Sequence, residues 1–256
     1  MDHNLHCHGV VCRSFSFASS CQAGLIEYAK DLSGDYDYVF YDVPREEADH
    51  IVNNRKVATA YQSVGLGYAK LSGSKNPDKP YVYLTAMDNR VMQKNALHLI
   101  KGRMPKNDHE ILLSRHMMTN GGVEYRVGDT ITLDISERED KNGNVLTQSS
   151  GYRTGEKLKK KLTASFQVVG IVQRPNFGFE EWTAPGYSVI TYLNPKEIIS
   201  RKSTCSARIF IASTRKQGCV TGHRRQRILW VLHLPPAYRN FRLSKMNASQ
   251  TARLMI

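Results

Sequence analysis

Five side chains near the start of the chain are of the types that bind zinc: His3, His6, Cys7, His8 and Cys12 in "HNLHCHGVVC". Finger-type sites pair two close ligands with two more across a longer loop. This cluster lacks that second half, so it is not read as a metal site. In "HEILLSRH", His109 and His116 stand seven apart. A zinc-protease helix needs them four apart, so that both imidazoles face the metal from one side. The intervening "EILLS" reads as strand, and each histidine is expected to be exposed or satisfied by a neighbour. "GLGYAK" has two glycines but neither a third nor a Lys-Ser/Thr pair, which excludes both a dinucleotide fingerprint and a phosphate loop. No Gly-x-Ser-x-Gly elbow is present. The sequence assigns no catalytic, cofactor-binding or metal-binding residue and no cofactor, and the chain is not read as an enzyme.

Aromatic residues offer a different chemistry. Phe177, Phe179, Trp182 and Tyr187 crowd one loop containing glycine and proline, "RPNFGFEEWTAPGY". They are the candidate contact with a partner or cargo, weighed against a loop that packs its own rings.

The elements that must position this loop follow from periodicity. Tyr36, Tyr38 and Phe40 alternate as in a half-buried strand. Pro44 suits a first helical turn, and Ala48, Ile51 and Val52 give one apolar face. Val57 to Leu71 reads as a strand with two close glycines. "YVYLTAMD" is a strand, "NRVMQKNALHLIKG" a helix, "HEILLS" a strand and "RHMMTNGG" a short helix stopped by glycine. Two strand–helix–strand units suggest an α/β lobe over about 25–125. From Val127 the texture is β-rich: "GDTITLDIS", "ASFQVVGIVQRP" and "GYSVITYL" read as strands, giving a second lobe over about 126–193. Between the first two, 137–161 reads as a long exposed polar hairpin or loop. The fold class is α+β.

Charge divides the chain differently. The net charge is +13, yet 201–256 carries 12 Lys and Arg and no carboxylate, while the first 200 residues hold 24 basic and 23 acidic side chains. The five cysteines (Cys7, Cys12, Cys21, Cys205 and Cys219) follow the same geography. A secreted disulfide scaffold would spread them through its core. No apolar run approaches the roughly 20 residues of a membrane span, and the first 25 residues hold no signal region.

Four motifs in order carry a resemblance. "GRMPKNDHEILLSRHM", "VGDTITLDI", "FQVVGIVQRP" and "PGYSVITYL" resemble the extracytoplasmic core domain of MacB/FtsX-like ABC transporter permeases. The matching residues are Gly102, Arg103, Pro105, Glu110, Ile111, Gly128, Asp129 and Val168 to Ile171. "GLIEYAKDLSGDYDYVFYDVP" resembles the segment that enters that domain from the first membrane helix. The likeness covers about 22–213. It implies a non-enzymatic domain on the outer side of the cell membrane. Its parent permease would couple a separate cytoplasmic ATPase to export or handling of a peptide, drug or lipoprotein cargo.

The ends depart from that pattern. A family member has a membrane helix before the domain and three after it. Here 1–21 is rich in His and Cys, and 214–256 is a basic tail without carboxylates. Both ends are read as out-of-frame translation around a truncated domain, with the tail lacking a fold of its own. Two other readings are a free-standing module that binds a protein or ligand through the aromatic loop, and a non-specific nucleic-acid binder acting through the tail. Twelve clustered positive charges bind any polyanion at low salt. Duplexes of different sequence are therefore expected to bind weakly and equally, with affinity falling steeply as salt rises; a preferred duplex in a salt-controlled titration would establish specific recognition.

Overall fold

The computed structural model describes residues 20–25, 27–28, 36, 38–43, 45–55, 57–94, 97–175, 180–193, 207–214 and 243–244. The fold is α+β: among the described residues there are one mixed sheet of eleven strands, three short helices, and helical residues at 20–25 and 27–28. In chain order the elements are β1 (Tyr38–Val43), α1 (Arg45–Val52), β2 (Val57–Lys70), β3 (Tyr81–Met87), α2 (Asn89–Lys94), β4 (Leu99–Gly102), β5 (Glu110–Ser114) and α3 (His116–Thr119). They continue with β6 (Thr130–Glu139), β7 (Val145–Leu146), β8 (Lys157–Val172), β9 (Gly186–Tyr192), β10 (Ala207–Thr214) and β11 (Leu243–Ser244). The sheet runs β11-β1-β10-β2-β3-β9-β5-β8-β6-β7, with β4 also on β8. Strands before and after residue 126 interleave, because β9 lies between β3 and β5.

A further pairing closes a ring. Tyr68 on β2 meets Ser136 on β6, so β2, β3, β9, β5, β8 and β6 form a six-stranded barrel. Gly67 permits the approach. Its φ is +134°, and a Cβ there would lie 2.6 Å from the Ser136 carbonyl oxygen. All six strands fill the interior: Ala69, Val82, Leu84, Ile111, Leu113, Ile131, Leu133, Phe166, Val168, Tyr187 and Val189 form one buried cluster. A barrel of this size is a packed core, with inward residues alternating along each strand. The alternation explains why β5 and β9 are buried on both faces. Ile111, Leu113 and Val189 point inward, while Leu112 and Ile190 join a second cluster outside with Met87, Val91, Met92 and Val169. A third cluster lies where β1, β10, the start of β2 and α1 meet, around Phe40, Val43, Ala48, Ile51, Ile209 and Ile211.

The helix expected to run up to Gly102 is described as Asn89–Lys94, and Leu99–Gly102 is strand instead. The start of the helix is conventional: the Asp88 side chain accepts from the Val91 amide at 2.8 Å, an N-cap bond. Leu99–Gly102 becomes strand because β8 offers it an edge. β6 covers that edge only as far as Gln167, and β4 takes over at Gly170. An unpaired edge there would leave buried backbone groups without partners, and this tertiary demand overrides helical periodicity.

The polar stretch 137–161 is more ordered than a solvated loop. β6 and β8 extend through much of it, and the hairpin between them folds over Arg138. That guanidinium is fully buried, as is its partner Glu156. Nε and Nη2 donate to the carboxylate at 3.0 and 2.8 Å. The remaining donors reach the carbonyls of Thr147, Ser150 and Gly151 at 3.1, 3.1 and 3.2 Å. The Tyr68 ring lies beneath, 5.0 Å away. Every bond ties the hairpin to the barrel seam.

Beyond the barrel, β10 is hydrogen-bonded on both sides, to β1 and β2. Two residues of the basic tail, β11, pair with β1. The cluster His3, His6, Cys7, His8 and Cys12 lies outside the described residues.

Arg138→Ala leaves Glu156 buried and unpaired, so it is expected to cost about 3–5 kcal/mol in urea unfolding. The double variant with Glu156→Ala should lose less than the sum of the two single losses. Simple additivity would show that the pair does not act as a unit.

Candidate functional site

The barrel has one end where β5 and β8, which are parallel, finish, and where β9 and β3, also parallel, begin. Three connections converge there, β2–β3, β5–α3 and β8–β9. Lys79 precedes β3, Arg115 and His116 follow β5, Gln173 and Arg174 follow β8, and Glu180 to Trp182 lead into β9.

Glu180 organises them. Its side chain is fully buried, and its Oε1 accepts from His116 Nδ1 at 2.5 Å. Lys79 Nζ and Arg174 Nε each stand 3.6 Å from the same oxygen. Oε2 accepts from the Ser188 amide at 3.0 Å. Burial by itself would push this carboxyl up. The hydrogen bond from His116, the Lys79 charge and the Ser188 amide more than offset it, and hold the group below the ordinary carboxylate value. An ionised carboxylate only accepts, so His116 Nδ1 carries the proton in this contact. Lys79 is buried without a hydrogen-bond partner for Nζ. Burial lowers its pKa, and the charge of Arg174 lowers it further against the pull of Glu180. Its ammonium also lies 5.2 Å from the centroid of the Tyr187 ring.

Trp182 and Tyr187 occupy different environments. Trp182 is 72 % exposed, with the Arg174 guanidinium stacked 4.6 Å from its ring centroid. Tyr187 is buried in the barrel core, edge-on to His116, and its hydroxyl donates to Asn120 Oδ1 at 2.7 Å. Asn76 Nδ2 donates to the same oxygen at 2.7 Å. Tyr187 therefore supports the site from below while Trp182 faces outward. Phe177 and Phe179 lie outside the described residues.

Arg174 is fixed on its other side as well, since Nη2 donates to the Glu180 and Glu181 carbonyls at 3.1 and 3.4 Å. An open pocket of about 320 Å³ lies beside it, lined by Arg115, His116, Thr119, Gln173 and Arg174. Sequence reasoning missed this group. His116 was singled out there only as a histidine either exposed or satisfied by a neighbour, and Glu180, 64 positions away, satisfies it. His109 is exposed beside Asp108.

Glu180 is the hydrogen-bond partner of the His116 ring. No group of three His, Cys, Asp or Glu side chains gathers as a metal site would need among the described residues. No helix among them is long and apolar enough to cross a membrane.

The motif residues meet at one place. Gly102, with φ +84°, lies against Gly170 so closely that a Cβ would stand 2.8 Å from its Cα. The Arg103 amide donates to Val169 O at 2.9 Å. Its guanidinium grips Glu110 with two bonds of 2.7 and 2.6 Å. That hydrogen bond, with the Lys106 amide, holds the Glu110 carboxyl at about 2. The Gly128 amide donates to Val168 O, and the Val168 amide to Asp129 O, both at 2.8 Å. Two sequence motifs, distant along the chain, thus dock on a third, the stretch of β8 between Gln167 and Gly170.

No protein-family model matches the chain, and no curated protein does. Among solved structures it is similar to the periplasmic region of MacB from Actinobacillus actinomycetemcomitans, at 9 % identity and a TM-score of 0.46, over 91 % of this chain and 97 % of that one. It is similar to a permease domain from Porphyromonas gingivalis at 10 % identity and 0.41, over 84 % and 90 %. The extracellular domain of the ABC-type transporter YknZ from Gram-positive bacteria is a third, at 11 % and 0.37, over 70 % and 83 %.

The pH dependence of Glu180 follows from its depressed pKa. Its stabilising contribution is fully present above the ordinary value of 4.5 and is lost as pH falls through the folded value. Glu180→Gln is expected to cost roughly 3 kcal/mol at pH 7 by leaving Lys79 and Arg174 uncompensated. It should also flatten the fall in melting temperature between pH 5 and pH 3. An equally steep fall in the variant would assign the acid sensitivity to other carboxylates.

Proposed function

We propose that this chain is the extracytoplasmic core domain of an ABC transporter permease, and that it is non-enzymatic. In the parent protein it would stand on the outer side of the cell membrane and respond to a separate cytoplasmic ATPase. It would present its loop end to a peptide, drug or lipoprotein cargo or to an accessory protein. The observation that carries this reading is the docking of the Gly102–Arg103–Glu110 and Gly128–Asp129 motifs on the Val168–Ile171 motif, one short stretch of β8. Residues that resemble a family pattern in sequence order also form one physical unit, as parts of an inherited fold would. The domain spans about 22–213, with the aromatic loop as its contact surface. Trp182 is the exposed member, and Phe177 and Phe179 flank the pocket in sequence.

The site fits this role. A coupling domain needs a rigid body that transmits movement and a surface that recognises. Here the barrel supplies the first, and the loops gathered around Glu180 the second. Lys141, at the exposed tip of the β6–β7 turn, gives a test. With Lys141→Cys in the protein expressed from its genomic locus, a membrane-impermeant maleimide should label the new thiol in intact spheroplasts, and prior quenching outside should abolish the signal. Labelling only after lysis would place the domain in the cytoplasm and end this reading.

A further inference from the structure

The pocket between Arg115 and Arg174 is lined by two arginines and a histidine and by no carboxylate. Arg115 is exposed, and its guanidinium makes no hydrogen bond or ion pair among the described residues. Arg174 is held in place by Trp182 on one side and by two backbone carbonyls on another. Glu180 cannot neutralise the opening, because its carboxylate is sealed and already shared by His116, Lys79 and Arg174. Glu181 is next in the chain, but its side chain does not line the pocket. Thr119 and Gln173 add neutral hydrogen-bonding groups to the wall.

We propose that this pocket receives a carboxylate side chain from an acidic segment of a partner protein, while the exposed Trp182 indole takes the apolar residue beside it. The proposal rests on the reading of the aromatic loop as a partner contact and names the chemistry of that partner. A guanidinium fork matches a carboxylate with two parallel bonds. A stacked, anchored arginine has little conformational freedom left to lose on binding. The volume of about 320 Å³ suits one acidic residue and its neighbour. Nucleic acid fits less well. A phosphate backbone needs a continuous basic track. The lysine run of β8 is engaged with carboxylates, Lys159 with Glu139, Lys160 with Asp134 and Lys161 with Glu137. It also begins at the far end of that strand, roughly 40 Å from Arg174 at ordinary strand rise.

The whole chain is the material for the test. Trp230→Phe leaves Trp182 as its one tryptophan, since the sequence holds two. A peptide of alternating glutamate and leucine is titrated at 0.15 M salt, with its glutamine counterpart as control, and indole emission is the readout. The acidic peptide should change the emission saturably, and the glutamine peptide should not. Arg115→Glu should weaken binding about tenfold, whereas Lys101→Glu, an equal charge change at an exposed position of β4, should alter it less than about twofold. Unchanged melting of both variants shows that the fold is intact. Equal weakening by the two reversals would mean diffuse attraction to a basic chain and would overturn the proposal. So would equal binding of the glutamine peptide, or displacement by a short oligothymidylate at lower concentration than by the acidic peptide. Peptide binding is measured on purified protein and maleimide labelling on cells. Labelling from outside without peptide binding defeats this inference alone, and binding with labelling only after lysis defeats the permease reading alone.

Discussion

The barrel depends on one seam. Five of its six strand pairings are ladders of several residues, but β2 and β6 meet at a single pair, Tyr68 and Ser136. Two strands so briefly joined would part unless something else held them. Gly67 lets the backbones approach, and Arg138, two residues beyond Ser136, holds the joint. Its guanidinium rests on the Tyr68 ring and gathers the carbonyls of the following hairpin with Glu156. A buried ion pair is a poor source of net stability against a well-packed apolar substitute. Here it supplies position: five donors in a fixed plane specify where the hairpin must lie. Once the seam is closed, β3, β9, β5 and β8 are held in register, and the loops at the end of the ring are brought together.

β8 distributes that order. It is the strand on which β4, β5 and β6 all pair, and its last third passes from one neighbour to the next. The handover needs a close crossing, which Gly102 and Gly170 allow, and a clamp, which Arg103 and Glu110 provide. These are the residues that made the sequence resemble a known domain. Their structural work is backbone accommodation and turn closure, so they bear on the fold and say nothing about what the loops recognise.

Legibility in the sequence followed the range of the interactions. Strands β2, β3, β5, β6 and β9 could be read because alternation and turn residues are local. So could α3, which ends at glycines. The end of α2 could not, because Leu99 and Ile100 suit a helical face as well as a strand, and the decision belongs to an edge of β8 some 70 residues away. Arg138 looked solvated for a similar reason: a polar hairpin gives no local sign that one of its members is enclosed. Within the aromatic loop, Trp182 and Tyr187 differ in environment. Tyr187 begins a strand buried on both faces, and only the register of β9 between β3 and β5 sends its ring inward. The site around Glu180 was invisible, since its three contributing connections share no sequence pattern.

The arrangement around Glu180 has a consequence for what lies above it. One buried carboxylate faces two fixed cations and an imidazole, so the cluster carries excess positive charge even with the carboxylate fully ionised. Such an excess is costly to enclose. The structure relieves it at the surface, where the Arg174 guanidinium spreads over the Trp182 face and opens toward water. The same geometry that stabilises the loop therefore leaves a cationic mouth beside an exposed indole. Filling that mouth with a carboxylate would complete the neutralisation that Glu180 begins. The interior electrostatics and the cationic mouth are two faces of one charge imbalance, and a change at Glu180 acts on both.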